Sequence, residues 1–233
     1  KALHLRCLRY HKIIFKEAPF MLIFHHGHSE FLLELADGYR ILTDPFDAHV
    51  GYPMRRVRCD AVTVSHAHGD HSEVGKAENY TALVDHAGTT VLAPGVVVKG
   101  IESWHDDQQG ALRGPNRIYI LEADGLRVAH LGDLGAWDDA LAERLTGLDI
   151  LLIPVGGYYT IDAQSAAALC HRVQPRMIIP MHYRTQANAN WPIAPVEDFL
   201  SAMDAQDAPR MPLLRVTAKD LSEQPRVAVL TEG

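Results

Sequence analysis

Thr63-Val64-Ser65-His66-Ala67-His68-Gly69-Asp70-His71 sets three imidazoles and a carboxylate into the six positions 66–71, directly after the apolar run 61–64. His66 and His68 stand two apart, so in extended backbone both project to one side and can bind one cation together. Gly69 permits a sharp turn, which brings Asp70 and His71 round as a second pair of donors. Gathering these groups at a strand's end without a metal would bury polar atoms lacking partners, at roughly 1–3 kcal/mol each. The segment therefore reads as the centre of a metal site, with donors for parts of two ions.

Composition narrows the metal and the substrate. The chain has 14 histidines but only Cys7, Cys59 and Cys170, widely spaced, so neither a disulfide framework nor a cysteine zinc cluster is indicated, and a reducing cytoplasmic location is expected. Imidazole and carboxylate donors suit zinc, iron or manganese. A net charge of -7 lacks the basic footprint of nucleic-acid binders, and no nucleic-acid partner is expected. No apolar run approaches the roughly 20 residues of a membrane-spanning helix, so no membrane partner is expected. Residues 1–20 carry spread basic charge without the apolar core of a secretory signal. Met21 reads as a natural start and 1–20 as an extension that need not be native.

The remaining pattern is α/β. Apolar runs at 21–24, 31–36 and 39–42, the last two joined by Asp37-Gly38, predict an opening meander of strands. Ser72 sits where a short helix is expected to begin. Strands are predicted at 90–93 and 96–101, followed by a polar loop over 104–116 long enough to be functional. Two further strands, 117–122 and 126–130, flank Asp124-Gly125, and the second leads into Leu131-Gly132-Asp133. Helical spacing at 138–145, 162–173 (capped by Asp162) and 196–205 alternates with strands at 150–155 and 177–180; terminal strands are predicted at 213–217 and 226–230. No Pro/Gly linker divides the chain, so one domain is expected.

Segment 63–71 resembles the signature of the metallo-β-lactamase superfamily, and residues 21–185 follow that family's order of motifs. The resemblance implies a four-layer αββα sandwich, two packed sheets between outer helices, as a single metallo-hydrolase domain over 21–233. It also implies a third histidine, a bridging aspartate and a last histidine from later strand ends. The matching positions are His105 in Ser103-Trp104-His105-Asp106, Asp133 in His130-Leu131-Gly132-Asp133, and His182 in Pro180-Met181-His182-Tyr183. On that pattern His66, His68 and His105 hold one metal, Asp70, His71 and His182 hold the other, and Asp133 bridges them with a water or hydroxide. Two divalent ions are implied, zinc foremost, with manganese or iron as alternatives. Such a pair lowers the pKa of water from about 16 towards about 7 and polarises the substrate oxygen, which implies hydrolysis. Asp70 is read as the catalytic residue that orients the nucleophile or relays its proton.

Other positions follow less directly. Asp44, in Leu42-Thr43-Asp44-Pro45-Phe46, is read as an acceptor that orients a ligand imidazole, the alternative being a turn residue before proline. His130 is read as supporting the ligands or as an ordinary strand residue. His28 in His26-Gly27-His28-Ser29, with Asn116, Tyr158 and Thr160 in predicted loops, are candidate substrate contacts. His4, His11, His49, His86 and His171 read as surface or packing residues, and Trp137 and Trp191 as packing. The motifs Gly27-His28-Ser29, Thr43-Asp44-Pro45-Phe46, Arg113-Gly114-Pro115-Asn116 and Gly156-Gly157-Tyr158-Tyr159 are together similar to the branch that includes L-ascorbate-6-phosphate lactonase. That branch implies cleavage of a small ester, lactone or phosphodiester, and the compact spans between His105, Asp133 and His182 favour a small-molecule substrate. Homo-oligomers are compatible with the resemblance. Two alternatives stand beside hydrolysis: an iron-dependent oxidoreductase of the same fold, like the sulfur dioxygenases, and a noncatalytic metal-binding module.

Overall fold

Every second side chain along Met21–Gly27 (β1) is buried, the period-2 signature of a strand with one face on a core. The structure is a computed structural model that describes residues 19–221 and 226–232. The expected extension, 1–20, lies outside the described residues except for Pro19 and Phe20. After β1 come Glu30–Glu34 (β2), Arg40–Thr43 (β3), Val57–Arg58 (β4) and Ala61–Thr63 (β5), then the short helix Gly69–Ser72 (α1). Ala77–Glu78 (β6), Ala82–Val84 (β7), Gly88–Ala93 (β8), Val96–Trp104 (β9), Pro115–Ala123 (β10) and Leu126–His130 (β11) follow. Helices then alternate with strands: Asp139–Arg144 (α2), Ile150–Pro154 (β12), Ala163–Val173 (α3), Met177–Met181 (β13) and Val196–Ala202 (α4). Arg210–Met211 (β14), Leu213–Val216 (β15), Arg226–Val227 (β16) and Val229–Leu230 (β17) end the chain.

Two large sheets result, in the orders β15-β1-β2-β3-β5-β7 and β16-β13-β12-β11-β10-β9-β8. A core of side chains including Ile23, Phe31, Leu33, Ile41, Tyr119, Val128 and Leu152 fills the space between them. The outer face of the second sheet packs under α2, α3 and α4 through residues such as Leu151, Leu169 and Phe199. The outer face of the first sheet, Leu32, Leu42 and Val62, is covered by a thinner layer that includes Val57, Cys59, Val74 and Tyr80. This is the expected four-layer sandwich with one outer layer reduced. Among the described residues no helix is long and apolar enough to cross a membrane.

Strand direction decides where polar residues collect. β10 is antiparallel to both β9 and β11, so β9 and β11 point the same way, and β11, β12 and β13 are mutually parallel. The C-terminal ends of β9, β11 and β13 therefore share one edge of the second sheet. In the first sheet β5 runs parallel to β3 and β7 and delivers segment 64–72 from its C-terminal end. Both Asp124 and Gly125 take positive φ, 54° and 75°, the twist-matched turn expected between β10 and β11.

Two expectations are corrected. The helix expected to begin at Ser72 ends there: His68 is its N-cap, and the Ser72 hydroxyl donates back to the His68 carbonyl (2.8 Å). The loop expected over 104–116 is shorter, because Pro115 and Asn116 pair with Trp104 and Ser103 across β9 and β10; Asn116 is a buried strand residue.

A buried ion pair secures the turn after β3. Lys76 Nζ meets Glu30 Oε2 at 2.6 Å, both nearly solvent-free, and lies 3.6 Å from the Phe46 ring centroid. Glu30 Oε2 accepts the Phe46 N–H (3.2 Å) and Lys76 donates to the Phe46 carbonyl (3.3 Å), so the pair grips the chain two residues after Asp44. Removing one partner of such a pair strands the other charge. Lys76→Met is expected to cost about 3 kcal/mol in urea unfolding, and Glu30→Gln/Lys76→Met to recover most of that loss. Equal destabilisation of single and double variants would contradict this account.

Candidate metal centre

Seven side chains from four strand ends converge on one buried point. Asp133 Oδ2 lies 3.2 Å from His105 Nε2, 3.2 Å from His182 Nε2 and 4.0 Å from His66 Nε2, while Oδ1 lies 3.1 Å from His71 Nε2. Around this carboxylate the donors form two groups compatible with metal binding: His66, His68 and His105, and His28, Asp70, His71 and His182. The structure thus brings together all seven positions named from sequence, and adds His28. His66 Nε2, His71 Nε2, His182 Nε2 and Asp133 Oδ1 are buried without a hydrogen-bond partner. Orphaned buried donors and acceptors are rare in folded proteins, and imidazole nitrogens and carboxylate oxygens facing one another are the donor set of a transition-metal pair. The residues fit the metals.

The ring orientations are fixed from behind. Asp44 is fully buried; its Oδ1 accepts the Ser65 N–H (2.8 Å), and its Oδ2 accepts from the Ser65 hydroxyl and from His71 Nδ1 (2.8 Å). His66 Nδ1 donates to the same Ser65 hydroxyl oxygen (2.9 Å). His66 therefore carries its proton on Nδ1 and turns Nε2 inward as a lone pair, the tautomer a metal requires, and the Asp44 contact at His71 Nδ1 points His71 Nε2 the same way, where a metal would take the place of its second proton. Asp44 is thus an acceptor that orients imidazoles as well as a turn residue, with φ of 42°.

Asn116, expected to contact substrate, sits behind Asp133. Its side-chain amide donates to Ser103 Oγ (2.8 Å) and the Leu131 carbonyl (2.9 Å), and its Oδ1 accepts the Asp133 N–H (3.0 Å). It is fully buried and has no face left for a ligand. Gly132 makes this packing possible, since a β-carbon there would fall onto Asn116 and Ser65. His130 Nε2 donates to the Ser29 carbonyl (2.8 Å) and Nδ1 accepts the Gly132 N–H (3.1 Å). It braces the backbone leading into Asp133 and the turn that carries His28.

The electrostatics favour a cation. Burial pushes the imidazoles of His66 and His28 down to about 3, helped by neighbouring His71 and His182 respectively; both rings are neutral, the ligating form. At His71 burial works the same way, but Asp133 and Asp70 overcome it and raise its pKa well above the usual histidine range. Burial opposes ionisation of Asp133, yet His182 and His71 hold its carboxyl well below the usual range. The ionised carboxylates thus stabilise positive charge at the centre.

Solvent reaches the centre past exposed His68 and half-buried Asp70. His28, expected to line the pocket, is buried with Nε2 3.2 Å from Asp70 Oδ2, its ring centroid 4.1 Å from that of His182 and 5.2 Å from that of Trp191. Tyr158 is 64% exposed and touches Tyr159 edge-on, while the Thr160 hydroxyl is turned to the Ile161 carbonyl (3.1 Å). Trp191 packs as expected, against Phe46, Val50 and Tyr52, and also meets Tyr159 (5.9 Å); sequence reading missed Asp106, whose carboxylate accepts four backbone N–H groups of its own loop. Trp137 also packs as expected, donating to Ser165.

Residues 22–182 match the family described as a beta-lactamase superfamily domain. The chain belongs to the metallo-β-lactamase superfamily. A relative from Pelotomaculum thermopropionicum, named a UPF0173 metal-dependent hydrolase, is 30% identical over 81% of this chain and 94% of its own. Another of that name from Archaeoglobus fulgidus is 31% identical over 68% of this chain and 81% of its own. A crystal structure from Thermotoga maritima, described as a candidate Zn-dependent hydrolase of the superfamily, is 35% identical; it superposes with a TM-score of 0.72 over 90% of this chain and 98% of that one. The metallo-β-lactamase fold is shared further by the Igni18 metallo hydrolase of Ignicoccus hospitalis at 21% identity and TM-score 0.64.

If Asp44 fixes the two imidazoles, Asp44→Ala is expected to lower metal affinity about 10- to 100-fold, the usual effect of removing such support. Chelator competition followed by metal analysis measures this. Affinity unchanged from the parent protein would assign Asp44 to the turn alone.

Proposed function

We propose that the protein is a hydrolase that uses two divalent metal ions to cleave a small ester, lactone or phosphodiester. The observation that carries this reading is the convergence of two donor groups on one buried carboxylate, Asp133. His66, His68 and His105 would hold one ion and Asp70, His71 and His182 the other, with Asp133 shared. The donor set suits zinc, and manganese and iron accept the same ligands. When bound, such a pair acidifies water and polarises the oxygen of the bond to be broken.

Asp70 is the group placed to move the proton. It lies at the open side of the centre, and its carboxyl is held below the usual range by His71 and His28 despite partial burial; it is therefore ionised and able to accept. It takes a proton from the attacking water as the new bond to carbon or phosphorus forms. That proton then passes to the departing oxygen as the ester C–O or P–O bond breaks. His28, donating to Asp70 Oδ2, keeps that carboxylate turned to the centre.

A net charge of -7 and the short connections between the strand ends support a small substrate and argue against nucleic acid. Cys59 and Cys170 are free and buried, in keeping with a reducing cytoplasm. The test combines metal analysis, an ester, lactone and phosphodiester panel, and oxygen uptake. Metal-loaded protein is expected to hydrolyse at least one panel class without consuming oxygen; oxygen uptake by the iron form would favour the oxidoreductase instead. His66→Ala and Asp133→Ala are each expected to abolish turnover, a loss above 100-fold, and to lower bound metal. Unchanged turnover and metal content in either variant would refute the assignment.

A further inference from the structure

Beside the metal centre, on the side of His28 and His182, a cavity of about 550 Å³ is bounded by His49, Gly51, Tyr159, Asn188, Asn190 and Trp191. That volume lies within the range of small-molecule pockets. A row of flat groups joins it to the centre. The Trp191 ring lies 5.2 Å from that of His28 and 6.4 Å from that of His182, Tyr159 lies 5.9 Å from Trp191, and the Arg113 guanidinium lies 5.8 Å from the Tyr159 centroid. The row therefore starts on the candidate ligand His182 and ends on a cation.

Arg113 is held there by its loop. Asp106, the residue after candidate ligand His105, accepts backbone N–H groups of Gln108 and Gly110 at Oδ1 (both 2.8 Å) and of Leu112 and Arg113 at Oδ2 (2.9 and 2.7 Å). The His105 N–H closes the loop onto the Gly114 carbonyl (3.2 Å). The loop is thus organised around its own carboxylate, and Arg113 leaves it toward Tyr159. Among the described residues Arg113 has no ion pair; its charge rests over a ring. In an acidic chain, a half-buried guanidinium without a carboxylate partner is a charge left available to a ligand, and its planar fork suits carboxylate, sulfonate or phosphate.

We propose that Trp191, Tyr159 and Arg113 form the recognition wall for a substrate with a flat, apolar or aromatic part ending in an anionic group. The flat part lies along Trp191 and Tyr159, as aromatic platforms favour, and the anion is bound by Arg113. The scissile bond lies at the other end, over the metal centre. The wall rests on the hydrolase reading only for which end of the molecule reacts.

The test compares 2-naphthyl acetate with its 6-sulfonate under metal-loaded wild type, Arg113→Met and Arg113→Lys. Wild type is expected to favour the sulfonated ester about tenfold in kcat/KM, the discrimination of one charge-assisted contact. Arg113→Met is expected to erase that preference through KM rather than kcat, Arg113→Lys to restore part of it, and Arg172→Met on α3 to leave it in place. A preference unaltered in Arg113→Met would overturn the proposal. Binding provides the second readout. 2-Naphthol-6-sulfonate is expected to quench tryptophan fluorescence, to bind about tenfold more weakly to Arg113→Met, and to lose most of its quenching in Trp191→Phe. Equal binding by wild type and Arg113→Met, or quenching retained in Trp191→Phe, would also overturn it. Should wild type cleave neither ester, ester hydrolysis fails while these binding results still decide the wall.

Discussion

Asp133 is a carboxylate with no exposed surface and four imidazoles around it. Burying an ionised carboxylate is costly unless opposite charge and hydrogen bonds compensate. Its surroundings are arranged for that compensation: Asn116 holds its backbone N–H, Gly132 lets the chain pass close to Ser65, and His130 braces the turn before it. The Asp133 side chain is left facing imidazole nitrogens and any cation they would hold. The end of β11 thereby ties the two sheets together, with His66 and His71 reaching it from one and His105 and His182 from the other.

The donors reach that point because sheet topology brings distant residues to one edge. Segment 64–72 leaves a parallel strand of the first sheet, while His105, Asp133 and His182 leave three co-directional strands of the second. Side chains placed at strand ends are less mobile than those in long loops, and the inter-sheet core of Ile23, Phe31, Val128 and Leu152 fixes the separation of the two edges. The loops carrying Arg113 and Tyr159 leave the ends of β9 and β12, on the same edge of the second sheet. On the recognition proposed above, loop residues can vary while the candidate metal donors stay in place.

Local features of this arrangement were legible in the sequence, and long-range ones only through resemblance. His66, His68, Asp70 and His71 lie within six positions, so the bend after β5 and the short helix α1 place them together. His105, Asp133 and His182 are far apart in the chain, and no periodicity connects them; the order of family motifs does. Asn116 reads as a loop contact because Gly114 and Pro115 are turn residues, whereas the β9–β10 register carries pairing through Pro115. Lys76 and Glu30 look like surface charges in any window of sequence; their burial follows from a contact across 46 positions. Trp191 lies in a segment without helical or strand periodicity, so its place against His28 and His182 could only come from the fold.

The backbone at the centre shows why such a site needs a rigid frame. His28, Asp44 and His182 all occupy the left-handed region, with φ of 54°, 42° and 53°, each at a cost of roughly 1–3 kcal/mol for a residue with a side chain. Glycine would relieve the strain and remove the imidazole or carboxylate that the position exists to present. The conformation persists because neighbours over-determine it: the His182 N–H donates to the His28 carbonyl (3.0 Å), and Asp44 donates its own N–H to Thr63 (2.9 Å) while accepting from Ser65 and His71. His28 and His182 thus lock each other between the two sheets, and Asp44 is locked by the segment that follows β5. Donors held in this way lose little further freedom when a cation binds, so binding free energy goes into metal–ligand bonds rather than into ordering the site.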